Sequence, residues 1–96
     1  MITPEGKIKA KVKNILDSLK AYYCMPMGTG YGNAGVPDFF VCLEGQFVAI
    51  ECKANGNLPT ALQMHNLMQI RKAGGIGLVV NEDNIHDLKK TLEDRL

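Results

Sequence analysis

Tryptophan is absent from these 96 residues, aromatics make up only 6%, and neither sign of charge dominates, the net charge being +1. Net charge alone therefore gives no argument for a nucleic-acid partner. No apolar run approaches the roughly 20 residues of a membrane span, and no signal-peptide pattern opens the chain. A cytoplasmic location without membrane association is the expectation. The three cysteines, at 24, 42 and 52, are an odd number and form no CxxC pair. That excludes a disulfide framework and a recognisable zinc motif, and predicts small apolar core residues. The glycine-rich stretch from Met27 to Gly35, MGTGYGNAG, lacks the GKS or GKT ending of a phosphate-binding loop. No helix pattern follows it, so a nucleotide site is excluded as well.

What is present fits one α/β domain over residues 1–96, with 46% hydrophobic and 22% charged residues. Thr3-Pro4 reads as a helix start, a capping hydroxyl followed by proline at the first helical position. Ile8, Val12, Ile15, Leu16 and Leu19 then share one stripe at helical spacing. Glu5 lies at the edge of that stripe, where an acid also suits a helix N-terminus. Lys9, Lys13 and Lys20 flank the stripe on Glu5's side, whereas Lys7 and Lys11 face away. Such a basic face is compatible with phosphate contact, and equally with simple solvation. Ala21 to Met25 is a short strand candidate. Tyr31, within the glycine-rich stretch, has two readings: stacking on a base, or covering the core.

The stretch Gly35 to Lys53, GVPDFFVCLEGQFVAIECK, organises the rest. Two strand-forming runs, 38 to 43 and 46 to 53, flank Glu44-Gly45. A two-residue turn there sets Phe40 opposite Ala49 and Asp38 opposite Glu51, on one side of the hairpin. The period of two brings Lys53 to that side too. A slip of one residue would send Glu51 to the other face, so the turn decides the geometry. Charges on otherwise apolar strands are costly unless paired or functional. Two adjacent carboxylates supply hard oxygen ligands for one Mg²⁺ or Mn²⁺, and the backbone carbonyl of Cys52 lies between Glu51 and Lys53 to complete the set. A lysine on the same edge can orient the attacking water of a phosphodiester hydrolysis.

Thr60 and Gln63 fit a capping box opening a helix that runs to about Ala73 and stops at Gly74-Gly75. On it, Gln63 projects with Leu67 and Ile70 toward the core, while Met64 and Met68 form a second apolar edge that hints at a partner surface or fills the core. Ile76 to Val80 reads as a strand covered on both faces. A last helix from about Asp83 carries Ile85, Leu88, Leu92 and Leu96 on its inner stripe. The order is helix, three strands, helix, strand, helix.

Pro37-Asp38 followed by Glu51-Cys52-Lys53 resembles the PD-(D/E)XK nuclease signature. With Glu5 in the first helix, Gly35-Val36-Pro37-Asp38 and Gln63 at the start of a later helix, the chain more narrowly resembles the VRR-NUC family over nearly its whole length. The resemblance implies a restriction-endonuclease-like core of order α-β-β-β-α-β-α, a mixed sheet with helices packed on it. It implies that Asp38, Glu51 and the Cys52 carbonyl bind Mg²⁺ or Mn²⁺ and that Lys53 is the catalytic lysine. Glu5 would reach the same site, and Gln63 would support it or the substrate phosphate. Lys9, Lys13, Lys20 and Tyr31 are the candidate DNA contacts. Stand-alone members of this size look like phage-type homodimeric nucleases, some resembling Holliday-junction resolvases. The chain departs from the pattern at Asn55-Gly56-Asn57, which carries no lysine, and at Pro59, which precedes the helix cap. A junction-selective homodimer, a nicking or restriction-like nuclease, and a DNA-binding module without turnover are the three functions to separate.

Overall fold

The computed structural model describes residues 2–27 and 34–96. Helix α1 (Pro4–Ser18) starts where Thr3 accepts a hydrogen bond from the Gly6 N–H, at 3.0 Å. Its C-terminus closes with Ala21 N–H donating to the Leu16 carbonyl and Lys20 N–H to that of Asp17. Lys20 stands in the left-handed region, φ 58°, where glycine is usual. Strands β1 (Tyr22–Cys24), β2 (Phe39–Leu43) and β3 (Gln46–Cys52) follow, then helix α2 (Ala61–Lys72), strand β4 (Ile76–Val80), a single 3₁₀ turn (Ile85–Asp87) and helix α3 (Leu88–Asp94). The sheet runs β1-β2-β3-β4, antiparallel except for the parallel β3–β4 pair. Among the described residues no helix is long and apolar enough to cross a membrane.

The two-residue turn is present. Leu43 pairs with Gln46 and Phe39 with Ile50, and Glu44 and Gly45 both take positive φ, 48° and 81°. Positive φ at both central residues matches the right-handed twist of the flanking strands, which outweighs the poor fit of glutamate to that position.

One face of the sheet holds the main core. Phe39, Val41, Val48, Ile50, Cys52, Ile76 and Val80 pack there with Ile8, Val12 and Leu16 of α1 and with Leu88 and Leu92 of α3. On the other face α2 covers only the β3–β4 half, with Leu67 buried and the Arg71 guanidinium donating to the Gly77 carbonyl at 2.8 and 3.0 Å. The β1–β2 half stays open, so Cys24 and Cys42 are exposed and only Cys52 is buried. Two of the three cysteines are thus not core residues. Met68 is exposed too, on the outer side of α2.

Three further expectations change. The first strand of the hairpin, β2, begins at Phe39, leaving Asp38 just outside it. The last helix begins later than Asp83, because Asn81 and Asn84 bind each other's backbone and Asn84 donates to the Val79 carbonyl, holding 81–84 as a turn. It also ends at Asp94, which leaves Leu96 exposed. Tyr31 lies outside the described residues.

Gly35 anchors the approach to β2. Its φ is +77°, and an added Cβ would lie 2.9 Å from two atoms of Leu62 and 3.0 Å from the Gln63 nitrogen, at the start of α2. Gly45 has a similar φ but open space around it. Gly35→Ala is therefore expected to cost about 2–3 kcal/mol and Gly45→Ala about 1 kcal/mol. Urea midpoints compare the two, and equal losses would mean that the contact with α2 is not tight.

Candidate active site

The site forms where α1 begins and β3 ends. Lys53 N–H donates to the Val80 carbonyl at 2.9 Å, so the odd-numbered residues of β3 direct their backbone to β4 and the even-numbered ones to β2. Continued past Phe39–Ile50, the β2–β3 register would set Cys52 against Pro37. Proline has no N–H to give, so the ladder stops and no donor arrives there for the Cys52 carbonyl. The Cys52 N–H is taken instead by Asp38 Oδ2, at 2.8 Å. Asp38 is thus pinned by the end of β3 rather than by its own strand.

Glu51 follows from the strand period onto the α2 face, and it is 1% exposed. One of its oxygens, Oε2, stands 3.6 Å from Lys53 Nζ, while Oε1 is buried with no hydrogen-bond partner among the described residues. Glu5, in the first turn of α1, completes a cluster. One carboxylate oxygen each from Glu5, Asp38 and Glu51 lie within 4.8 Å of one another. Burial above all pushes the Glu51 carboxyl up to about 7; the Asp38 and Glu5 charges add to the effect and Lys53 opposes it. Burial likewise pushes the Cys52 thiol up, keeping it an inert core group.

Three convergent carboxylates with an unbonded buried oxygen are an unfavourable set of anions unless a cation joins them. All the donors are hard oxygens, the kind that Mg²⁺ and Mn²⁺ take. The residues present therefore fit such an ion. Beside them a cleft of about 230 Å³ opens between Thr3, Pro4 and Glu5 on one side and Lys53, Ala54, Asn55 and Asn57 on the other. A tight turn shapes its rim, with positive φ at Asn55 and Gly56 and the Asn57 N–H on the Ala54 carbonyl. Glu82 holds that turn by accepting from the Asn55 N–H at 2.7 Å.

The remaining candidates separate. Gln63 forms the capping box with Thr60 through its Oε1, 2.8 Å from the Thr60 nitrogen. Its side-chain nitrogen makes no hydrogen bond among the described residues. Lys9 stands one helical turn after Glu5 and pairs with Asp38 Oδ1 at 3.4 Å. Burial pulls the Lys9 ammonium down, but Asp38 and Glu5 outweigh it and hold its pKa above the ordinary lysine value. Lys13, exposed, is one turn farther along α1. Lys20 lines a groove with Leu43 and Glu44, at the opposite end of the hairpin. Along β3 that is roughly 20 Å from the carboxylates, so Lys20 is not brought to the site. The Lys9–Asp38 pair and the Asp38–Cys52 bond were missed from sequence. The four-residue spacing of Glu5 and Lys9 puts both on one side of α1 but carries no signal for Asp38.

No protein-family model and no curated protein sequence matches the chain. Solved structures do. A structure described as a VRR_NUC domain is 24% identical, covering 98% of this chain and 99% of its own, with a TM-score of 0.80. Hjc of Archaeoglobus fulgidus, a Holliday junction resolvase from an archaeal hyperthermophile, is 19% identical, with 78% of this chain covering 65% of that one at a TM-score of 0.60. Element order, mixed sheet and helix placement thus give this chain the restriction-endonuclease-like fold, in the form shared by the VRR_NUC domain and Hjc.

Proposed function

We propose that the chain is a divalent-metal-dependent DNA endonuclease of the VRR-NUC group of PD-(D/E)XK nucleases. The observation that carries the reading is the convergence of Glu5, Asp38 and Glu51, with one buried glutamate oxygen unbonded, beside the Lys53 ammonium. A shared fold alone would not suffice, since one fold hosts many chemistries. Asp38, Glu51 and the Cys52 carbonyl are assigned as ligands of Mg²⁺ or Mn²⁺, with Glu5 reaching the ion directly or through water. The ion supplies positive charge against the scissile phosphate and the leaving oxygen. Lys53, held beside Glu51, orients the attacking water and offsets charge on the phosphate. Gln63 retains a side-chain nitrogen that can donate to the substrate phosphate. Lys9 and Lys13, on the side of α1 that carries Glu5, are the assigned contacts to the DNA backbone.

The finer reading is a homodimer acting on branched DNA. The resemblance of the fold to a junction resolvase supports it. So does the open half of the sheet, where Tyr22 is 79% exposed on the face that carries Glu51, next to Phe47 at the start of β3, 45% exposed. Paired cuts in two strands need two sites, and the described residues of one chain hold one such carboxylate cluster. A cleavage panel of four-way junction, flap, nicked and linear duplex, with Mg²⁺, Mn²⁺ or chelator, tests this. Paired symmetric cuts confined to the junction, dependent on the ion, are the expected result. Equal cutting of linear duplex would make it a nicking or restriction-like enzyme. No ion-dependent cutting of any substrate would leave a DNA-binding module.

A further inference from the structure

Two ammonium groups serve the three carboxylates, and they are not equivalent. The Lys53 side chain is 14% exposed and pairs with the buried Glu51, whereas the Lys9 side chain is 34% exposed and pairs with Asp38 Oδ1. Asp38 does not depend on Lys9 for its position, because its other oxygen is fixed by the Cys52 N–H. Lys9 therefore supplies charge to an oxygen already in place. That oxygen belongs to the carboxylate group whose members converge within 4.8 Å. A divalent cation entering the cluster and the Lys9 ammonium compete for the same carboxylate and repel each other. Of the two lysines, Lys53 lines the cleft, whereas Lys9, on α1, is the more exposed to solvent.

We infer that Lys9 is a displaceable counter-ion: it neutralises Asp38 until a divalent ion takes that carboxylate, and then turns outward to a DNA phosphate. The inference rests on the metal-site reading above and adds a coupling to it. The same lysine opposes metal binding in the absence of DNA and favours DNA binding once the metal is in place. Metal and DNA thus reinforce each other through one side chain, which moves over the length of a lysine without any backbone change.

The test uses Lys9→Met, which keeps the length of the apolar stem and removes the charge, with Lys9→Gln as a second variant retaining a donor. Calorimetric titration with Mn²⁺, without DNA, is expected to show affinity roughly tenfold tighter in both variants than in wild type. A lysine that merely positions Asp38 would give the reverse, weaker binding. DNA binding is then read by anisotropy on a four-way junction in a Lys53→Ala background. With chelator, Lys9→Met is expected to change affinity by less than about twofold; with saturating Mn²⁺ it is expected to lower affinity roughly tenfold and to reduce the salt slope by about one. Unchanged or weaker Mn²⁺ binding in the Lys9 variants overturns the inference, as does an equal loss of DNA affinity in chelator and in Mn²⁺. Failure of wild-type protein to bind Mn²⁺ at all would overturn the metal-site reading itself, and the inference with it.

Discussion

Lys53→Ala and Asp38→Asn proteins are expected to fold, to bind DNA and to cleave it about 10²–10⁴-fold more slowly than wild type. The choice of variants follows from the geometry. Asparagine at 38 keeps an oxygen for the Cys52 N–H, which Asp38 accepts at 2.8 Å, and removes only the charge. Alanine there would also leave that N–H unbonded, at a further cost of about 1–3 kcal/mol, and would confuse folding with chemistry. Lys53→Ala strips Glu51 of its partner at 3.6 Å, but a carboxyl already pushed up to about 7 can take a proton instead of unfolding the chain. Single-turnover cleavage with saturating Mn²⁺, alongside binding isotherms, measures both effects. Wild-type cleavage by either variant would remove the assigned residue from the chemistry.

The second large effect is on stability. The Glu51 carboxyl rises from 4.5 to about 7 on folding, so the folded chain binds this proton more tightly than the unfolded one. Protein stripped of divalent ions is therefore expected to lose stability as pH rises from about 4.5 to about 7, and to lose no more from this group above that. The loss from Glu51 alone is roughly 3 kcal/mol. Glu51→Gln should flatten this part of the profile. At pH 8, where Glu51 is ionised, Mn²⁺ at a hundred times its dissociation constant should return about 2.7 kcal/mol. For a domain of this size that is a rise in melting temperature on the order of 10 °C. Glu51→Gln combined with Asp38→Asn should show none of it. Melting curves at pH 5 and pH 8, with chelator and with Mn²⁺, supply the comparison. A profile that climbs between pH 5 and 8 without the ion would contradict the buried, crowded state of Glu51.

The hairpin shows what patterning conveys and where it stops. A two-residue turn at Glu44-Gly45 sufficed to place Phe40 opposite Ala49, because its length fixes the register of both strands. Helix caps at Thr3 and Thr60 were equally local signals, and the same holds for the stop at Gly74, whose N–H closes on the Arg71 carbonyl. The exact post of Asp38 was not local. It depends on Pro37 ending the ladder one residue early, so that a side chain rather than a strand neighbour meets Cys52. The Lys9–Asp38 pair depends on how α1 lies against the sheet, which spacing along one helix does not encode. Exposure of Cys24 and Cys42 depends on α2 covering half of a sheet face, a matter of where one helix sits and not of any pattern within β1 or β2. The delayed start of the last helix was written in Asn81 and Asn84, whose side chains compete with helical bonds, but apolar periodicity masked it.

The central claim is that Glu5, Asp38 and Glu51 converge to hold one divalent ion at the end of β3. Crystals of the wild-type protein equilibrated with Mn²⁺ and measured for anomalous scattering test it without reference to any substrate. One peak among these carboxylates is predicted, with oxygens of Asp38 and Glu51 at roughly 2.0–2.2 Å. The absence of a peak there at saturating Mn²⁺, or an ion bound only elsewhere, would contradict the account.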